Sequence, residues 1–165
     1  MTPDIEAIRL FQTLFVLYVG LFAALVVLNN VMDYGTNYNF VRNVMGMHTV
    51  FPDCKLRWRA VNSAAIQHAF FQTIIVIEAV VATLCILGTW RLWSALSAPP
   101  EVFRVAKTVS FYGLGLGFTL WFAIFMIGAG QWWASWQSKE YSGQDAAFRF
   151  YMPIAVVFVI LMHPA

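Results

Sequence analysis

The sequence predicts an all-α membrane protein: a four-transmembrane-helix up-and-down bundle, one domain over residues 1–165, with an aromatic-rich cap on its outward side. Three observations carry this. Of the residues 61% are apolar and 11% charged, against roughly 45–50% and about 25% in soluble domains, so charge is too scarce to cover a surface in water. Four apolar stretches approach the ~20 residues a helix needs to cross ~30 Å of hydrocarbon. Tryptophan and tyrosine collect in the segments between them, as they do at membrane–water interfaces.

The first span is expected over residues 10–28, where Asn29 and Asn30 stop it. Asp4 and Glu6 precede it and Val-Leu-Asn-Asn closes it, unlike the basic start and small-residue cleavage site of a signal peptide, so it reads as a retained anchor. The second is expected over 64–90, with Arg91 at the interface, and the third over 108–128. The fourth, 146–162, is the shortest, and Arg149 near its start should snorkel toward headgroups. With four spans both termini share a side, and the short connection carrying Arg91, Arg104 and Lys107 argues that this side is cytoplasmic. The outward side then holds the segments Asn29 to Ser63 and Gly130 to Ala147.

A net charge of +2 without a basic run gives no footprint for nucleic acid. Cys54 and Cys85 are expected a bilayer apart, as free thiols. His48, His68 and His163 do not lie at one depth and no cysteine or histidine spacing matches a metal motif, so neither haem nor metal is expected, nor any other cofactor. Gly113 with Gly117, and Gly20 with Ala24, are small residues four apart, which allow close helix packing; no phosphate loop is implied.

Glu78 stands well inside the second span, where a bare charge costs several kcal/mol. It should therefore be paired, protonated or turned into the bundle. At 100° per residue Gln67, Phe71, Ile74, Glu78 and Cys85 form one stripe, which puts Glu78 on the interior face. Tyr18 and Thr119, with Trp121, are expected at a similar depth as hydrogen-bonding partners. That group is either an interhelical clamp or a proton, ion or ligand site.

On the outward side Asp33, Trp58, Arg59, Gln137 and Arg149 are expected to converge on the bundle mouth, with Asp33 paired to Arg59 or Arg149 as a structural cap or as part of a small-ligand or headgroup site. Trp132, Trp133 and Trp136 share one face of a short helix whose other face carries Ser135, Ser138 and Lys139, the pattern of a segment lying in the interface.

Asn29-Asn30 with Asp33-Tyr34, Phe51-Pro52, Trp58-Arg59-Ala60, Glu78, Trp90-Arg91-Leu92-Trp93, Phe125-Met126, Trp136-Gln137-Ser138, Gly143-Gln144 and Ala147-Phe148-Arg149-Phe150 together carry a resemblance. The chain resembles a bacterial family of predicted small integral membrane proteins, a domain of unknown function, over nearly its whole length. It departs from that pattern at His48, Gln131 and Tyr141-Ser142, where Asp, Glu and Trp-Asn are usual. The resemblance implies four spans in a bacterial inner membrane and no particular activity. With no paired catalytic groups in the sequence, the first expectation is a non-catalytic accessory or assembly subunit that packs against other membrane subunits or itself. The alternatives are a small oligomeric transporter or sensor using Glu78 as proton or ion site, and a redox partner binding quinone or lipid.

Overall fold

In the computed structural model, which describes residues 3–164, α1 (Pro3–Met32) is followed by α2 (Tyr34–Met45), α3 (Ala64–Ser94), α4 (Pro100–Ala106) and α5 (Thr108–Thr119). A π-helical segment, Leu120–Trp132, continues α5, and α6 (Gln144–Met162) ends the described chain. Single 3₁₀ turns sit at Arg57–Arg59 and Ser135–Gln137, and no strand occurs among the described residues. Four helical runs, Asp4–Met32, Ala64–Ser94, Pro100–Trp132 and Gln144–Met162, are long and apolar enough to cross a membrane. Helices are what lipid demands, because each backbone donor and acceptor finds its partner within its own segment. The threonines comply too: Thr13, Thr73, Thr83, Thr89 and Thr119 each donate to the carbonyl four residues back at 2.8 Å. Large apolar side chains such as Leu21, Leu25, Val76, Leu87, Val156 and Val159 point outward.

Each long helix packs on its sequence neighbours, and the fourth span returns to touch the first. The pairings climb one helix as they descend the next. Arg9 meets Leu96 and Ala98, Gly20 lies against Cys85 and Ile86, and Asn30 reaches Glu78. Gly113 lies on Cys85 and Gly117 on Val81, while Phe111 meets Phe158 and Phe118 meets Tyr151. The glycines set this closeness: a Cβ on Gly113 would stand 2.8 Å from Cys85 Sγ and 3.0 Å from the Cys85 amide nitrogen, so α3 and α5 touch nearly backbone to backbone. Val16, Val19, Ala23, Ile74, Val81, Leu114, Trp121, Ile154 and Leu161 fill the core between them.

At the end that carries residues 9 and 163, three polar side chains join the buried apolar residues Leu92, Phe103 and Leu161. Arg9, wholly buried, donates to Leu96 O (2.9 Å) and Ala98 O (2.7 Å) and lies over the Phe103 ring. Gln12 donates to Ile160 O and His163 O, and Lys107 Nζ donates to His163 O at 2.8 Å. Carbonyls at helix C-termini have no donor of their own, and cations are favoured there. Lys107, read from sequence as a topological charge, thus acts with Arg9 and Gln12 as a cap.

Several boundaries move. The first span does not stop at Asn29 and Asn30; α1 runs on to Met32, because no glycine or proline interrupts it before Gly35. The chain then kinks at Asp33 (φ −119°, ψ 51°), and α2 continues in the same sense along the first half of α3, from Tyr34 beside Phe71 to Met45 beside Val61, burying Val41, Val44 and Met45 with Phe71, Ala129 and Trp133. The tryptophan segment is not an amphipathic interfacial helix. Trp132 ends the π segment, Ala134 takes a left-handed conformation (φ 50°), and the direction reverses there. Trp133 is consequently buried and donates to Arg59 O at 3.2 Å. Ser135 and Ser138 are buried as well, whereas Trp132 and Trp136 are exposed, the opposite of the expected faces for the serines.

Candidate functional site

Glu78 sits on the buried face of α3, which also holds Gln67, Phe71, Ile74 and Cys85, the stripe read from spacing. Its partner is Asn30: the Asn30 side-chain amide donates to Glu78 Oε2 at 2.7 Å, joining α1 to α3. Glu78 is 2% exposed, yet it lines a half-open cavity of about 270 Å³, and its second oxygen makes no hydrogen bond to a described residue. Asn29, Asn30 and Asn37 supply further polar lining, and Phe40, Phe71, Trp121, Phe125 and Phe150 supply rings. The cavity exists because α1 ends at the level of the middle of α3, leaving a step that α2 roofs with Phe40 and Val41.

The opposite wall belongs to the π-helical segment. Its hydrogen bonds run five residues back, as in Trp133 N to Gly128 O at 3.0 Å. Such segments are rare and collect at functional sites. Trp121 is almost fully buried there, its ring 5.6 Å from Phe22 and 5.9 Å from Phe150.

Above the cavity lies a stack that the sequence did not announce. His68 stacks on Tyr38, with ring centres 3.8 Å apart and planes within 5°, and its Nδ1 shares a 2.8 Å hydrogen bond with the Tyr34 hydroxyl. The Tyr38 hydroxyl donates to Gln67 Oε1 at 3.2 Å, and Gln67 donates to Val61 O at 2.7 Å. Tyr34 also packs on Phe71, a cavity wall. This column locks α2 onto α3 and so fixes the roof.

The remaining expected site residues fall elsewhere. Tyr18 is 57% exposed and faces outward; Gly20 lies opposite Cys85, so Tyr18 sits well away from Glu78 along the bundle. Depths counted from the expected span ends miss this, because the helices are staggered and α1 is longer than expected. Thr119 is nearer in level, but it is exposed and donates to Gly115 O in its own helix. The expected mouth does not assemble either. Asp33 is exposed, and its carbonyl, not its carboxylate, accepts from Asn37; among the described residues no ion pair joins it to Arg59 or Arg149. Arg59 lies over the rings of Trp58 (5.2 Å) and Trp132 (4.6 Å) and donates to Trp132 O, a cation–π clamp between the two long connections. Gln137 accepts from the Phe51 amide at 3.1 Å, and Arg149 lines a groove on the outer surface between α1 and α6.

Nothing in the sequence singles out Phe40 or Phe125 as cavity lining, and the polar pair Asn29-Asn30 reads there as a helix stop rather than as a partner for Glu78. Among the described residues no three of His, Cys, Asp and Glu come together as metal ligands would, and Cys54 and Cys85 are free. The arrangement offers one acceptor oxygen at the base of a ring-walled pocket, suited to a small group that brings a donor or a positive charge.

Residues 8–164 match the family described as predicted small integral membrane protein (DUF2165). No curated protein and no solved structure matches the chain. With four membrane-length helices and a match over nearly its whole length, the chain belongs to this family of small integral membrane proteins.

Proposed function

We propose that the chain is a small-ligand-binding membrane protein, of transporter or sensor type, and that the Glu78–Asn30 cavity is its binding site. The observation that carries this reading is the free oxygen of Glu78 opening into a pocket with amide and aromatic lining. A purely structural clamp would saturate both carboxyl oxygens and fill the space around them, since empty volume in a core costs stability. The volume, about 270 Å³, lies at the low end for ligand sites, so the occupant is small. A primary ammonium beside an aromatic ring meets each requirement: the cation pairs with the carboxylate, and the rings of Trp121 and Phe125 take the apolar body. The role is one of binding rather than catalysis, and it requires no cofactor.

The accessory-subunit reading rests on small size and on the lack of paired catalytic groups, and a ligand-binding protein satisfies both equally well. The cavity gives the binding reading its preference. The same proposal places the chain in a bacterial cytoplasmic membrane with residues 9, 91, 104 and 107 on the cytoplasmic face, supported by the basic residues at that end.

Benzylamine serves as the probe. Purified chain in mild detergent should bind it saturably, one per chain, in equilibrium dialysis, and other small primary amines should compete. Uptake that is linear in concentration and indifferent to competitors means partition into detergent and refutes the proposal. A chain that instead leaves the membrane only with stoichiometric partner subunits, and binds no amine, returns the accessory reading.

A further inference from the structure

Between α1 and α6 lies a groove of about 290 Å³ with apolar walls, formed by Phe15, Val19, Phe22, Phe150 and Val157. Phe22 and Phe150, ring centres 4.9 Å apart, back the groove, and Phe150 also lines the Glu78 cavity on its other side. Two polar side chains open into it, Arg149 and Tyr18. Neither makes a hydrogen bond or an ion pair with a described residue, and both are exposed on the face turned to lipid. Tyr18 is one helical turn below Phe22, about 6 Å along α1, while Arg149 neighbours Phe150 beside the top of the groove. A guanidinium inside an apolar surface needs an anionic partner, and no side chain provides one. Pro153, also in the groove, has no N–H to give the Arg149 carbonyl, so the helix itself is under-donated at that turn.

We propose that this groove is a binding site for an anionic phospholipid from the leaflet on the side of the long connections. Arg149 holds the phosphate, for which its planar fork is suited. The Tyr18 hydroxyl, one turn deeper, donates to an acyl-ester carbonyl, and the chain below that ester runs along Phe15 and Val157. The vertical spacing of cation, hydroxyl and apolar wall follows the order of phosphate, ester and acyl chain in a glycerophospholipid. An unpaired cation also favours a headgroup of net negative charge over one that carries its own ammonium. The site is separate from the Glu78 cavity and does not depend on what that cavity binds.

The test is native mass spectrometry of the purified chain exchanged into micelles holding equal amounts of phosphatidylglycerol and phosphatidylcholine. The wild type should retain one phosphatidylglycerol in preference to phosphatidylcholine. Arg149→Gln should lower that retention about tenfold, the loss of one charge-assisted contact. Arg104→Gln, at the other end of the bundle, should leave it unchanged. Equal retention of the two lipids, or undiminished phosphatidylglycerol on a folded Arg149→Gln chain, overturns the proposal. Should Arg149→Gln fail to fold, Val157→Trp fills the groove without touching charge, and lipid retained by that variant overturns it equally. Millimolar inorganic phosphate should not displace the lipid; displacement would show that the groove reads free phosphate and that its apolar wall plays no part.

Discussion

Gly113 and Gly115 stand two residues apart in α5, look alike in the sequence, and should respond oppositely to the same substitution. An alanine Cβ at Gly113 would lie 2.8 Å from Cys85 Sγ, 3.0 Å from Cys85 N and 3.1 Å from Leu84 Cβ. Two of these atoms belong to the backbone or sit next to it, so α3 and α5 must separate, and overpacking of that kind costs about 1–3 kcal/mol. The helix gains about 0.5–1 kcal/mol from losing a glycine. Gly113→Ala should therefore destabilise by a net ~1–2 kcal/mol. At Gly115 the nearest atom is Phe158 Cε2 at 3.8 Å, ordinary contact, so only the helical gain remains. Gly115→Ala should be neutral or stabilising by up to ~1 kcal/mol, a gap of about 2 kcal/mol and roughly 30-fold in the unfolding equilibrium. Reversible unfolding in mixed micelles with rising sodium dodecyl sulfate, followed by circular dichroism, measures both variants and the wild type. Adding Cys85→Ala to Gly113→Ala should recover part of the loss, since Sγ goes but the backbone nitrogen stays. Equal destabilisation by the two single substitutions, or a larger loss at Gly115, would refute the packing of α3 on α5 described above.

Arg9→Gln removes two charge-assisted hydrogen bonds to Leu96 O and Ala98 O and should cost about 3 kcal/mol in the same assay. Glu101→Gln breaks an exposed pair with Arg104 and should shift stability by less than ~0.5 kcal/mol; a larger effect of Glu101→Gln than of Arg9→Gln would contradict the assigned caps. Tyr38→Leu takes away the ring stacked on His68 and the hydroxyl on Gln67, with an expected loss of about 1–2 kcal/mol and earlier proteolysis between residues 46 and 63. A small maleimide should label the partly accessible Cys54 and spare the buried Cys85 in the folded chain. Intact mass should show one adduct, and none for Cys54→Ser; two adducts would mean that the contact of Gly113 with Cys85 opens.

Composition and apolar run length made four spans legible, because lipid leaves the backbone few alternatives. Spacing alone also found the interior stripe of α3 and the packing role of Gly113 and Gly117, since both depend only on helical periodicity. What spacing could not supply was stagger. Glu78 meets Asn30 rather than Tyr18 because α1 runs past its polar pair and α3 reaches several turns beyond the end of α1. The outward mouth failed for a related reason: Arg59 found aromatic faces and a carbonyl, and Arg149 lies on the outer surface of α6. Charge complementarity nominates pairs, but the turn at Asp33 and the left-handed Ala134 decide which groups meet. The Tyr34–Tyr38–His68 column carries residues of unremarkable spacing, and only the packing of α2 along the first half of α3 brings them together.

The most direct test of the cavity as a binding site is to measure benzylamine affinity and melting temperature on one preparation of Glu78→Gln. Glutamine keeps an acceptor for Asn30 and loses the charge. The binding account predicts a melting temperature within about 2 °C of wild type and an affinity at least ~10-fold weaker, the loss of one charge-assisted contact. An unchanged affinity with a clearly lowered melting temperature would contradict it and leave Glu78 as a clamp between α1 and α3.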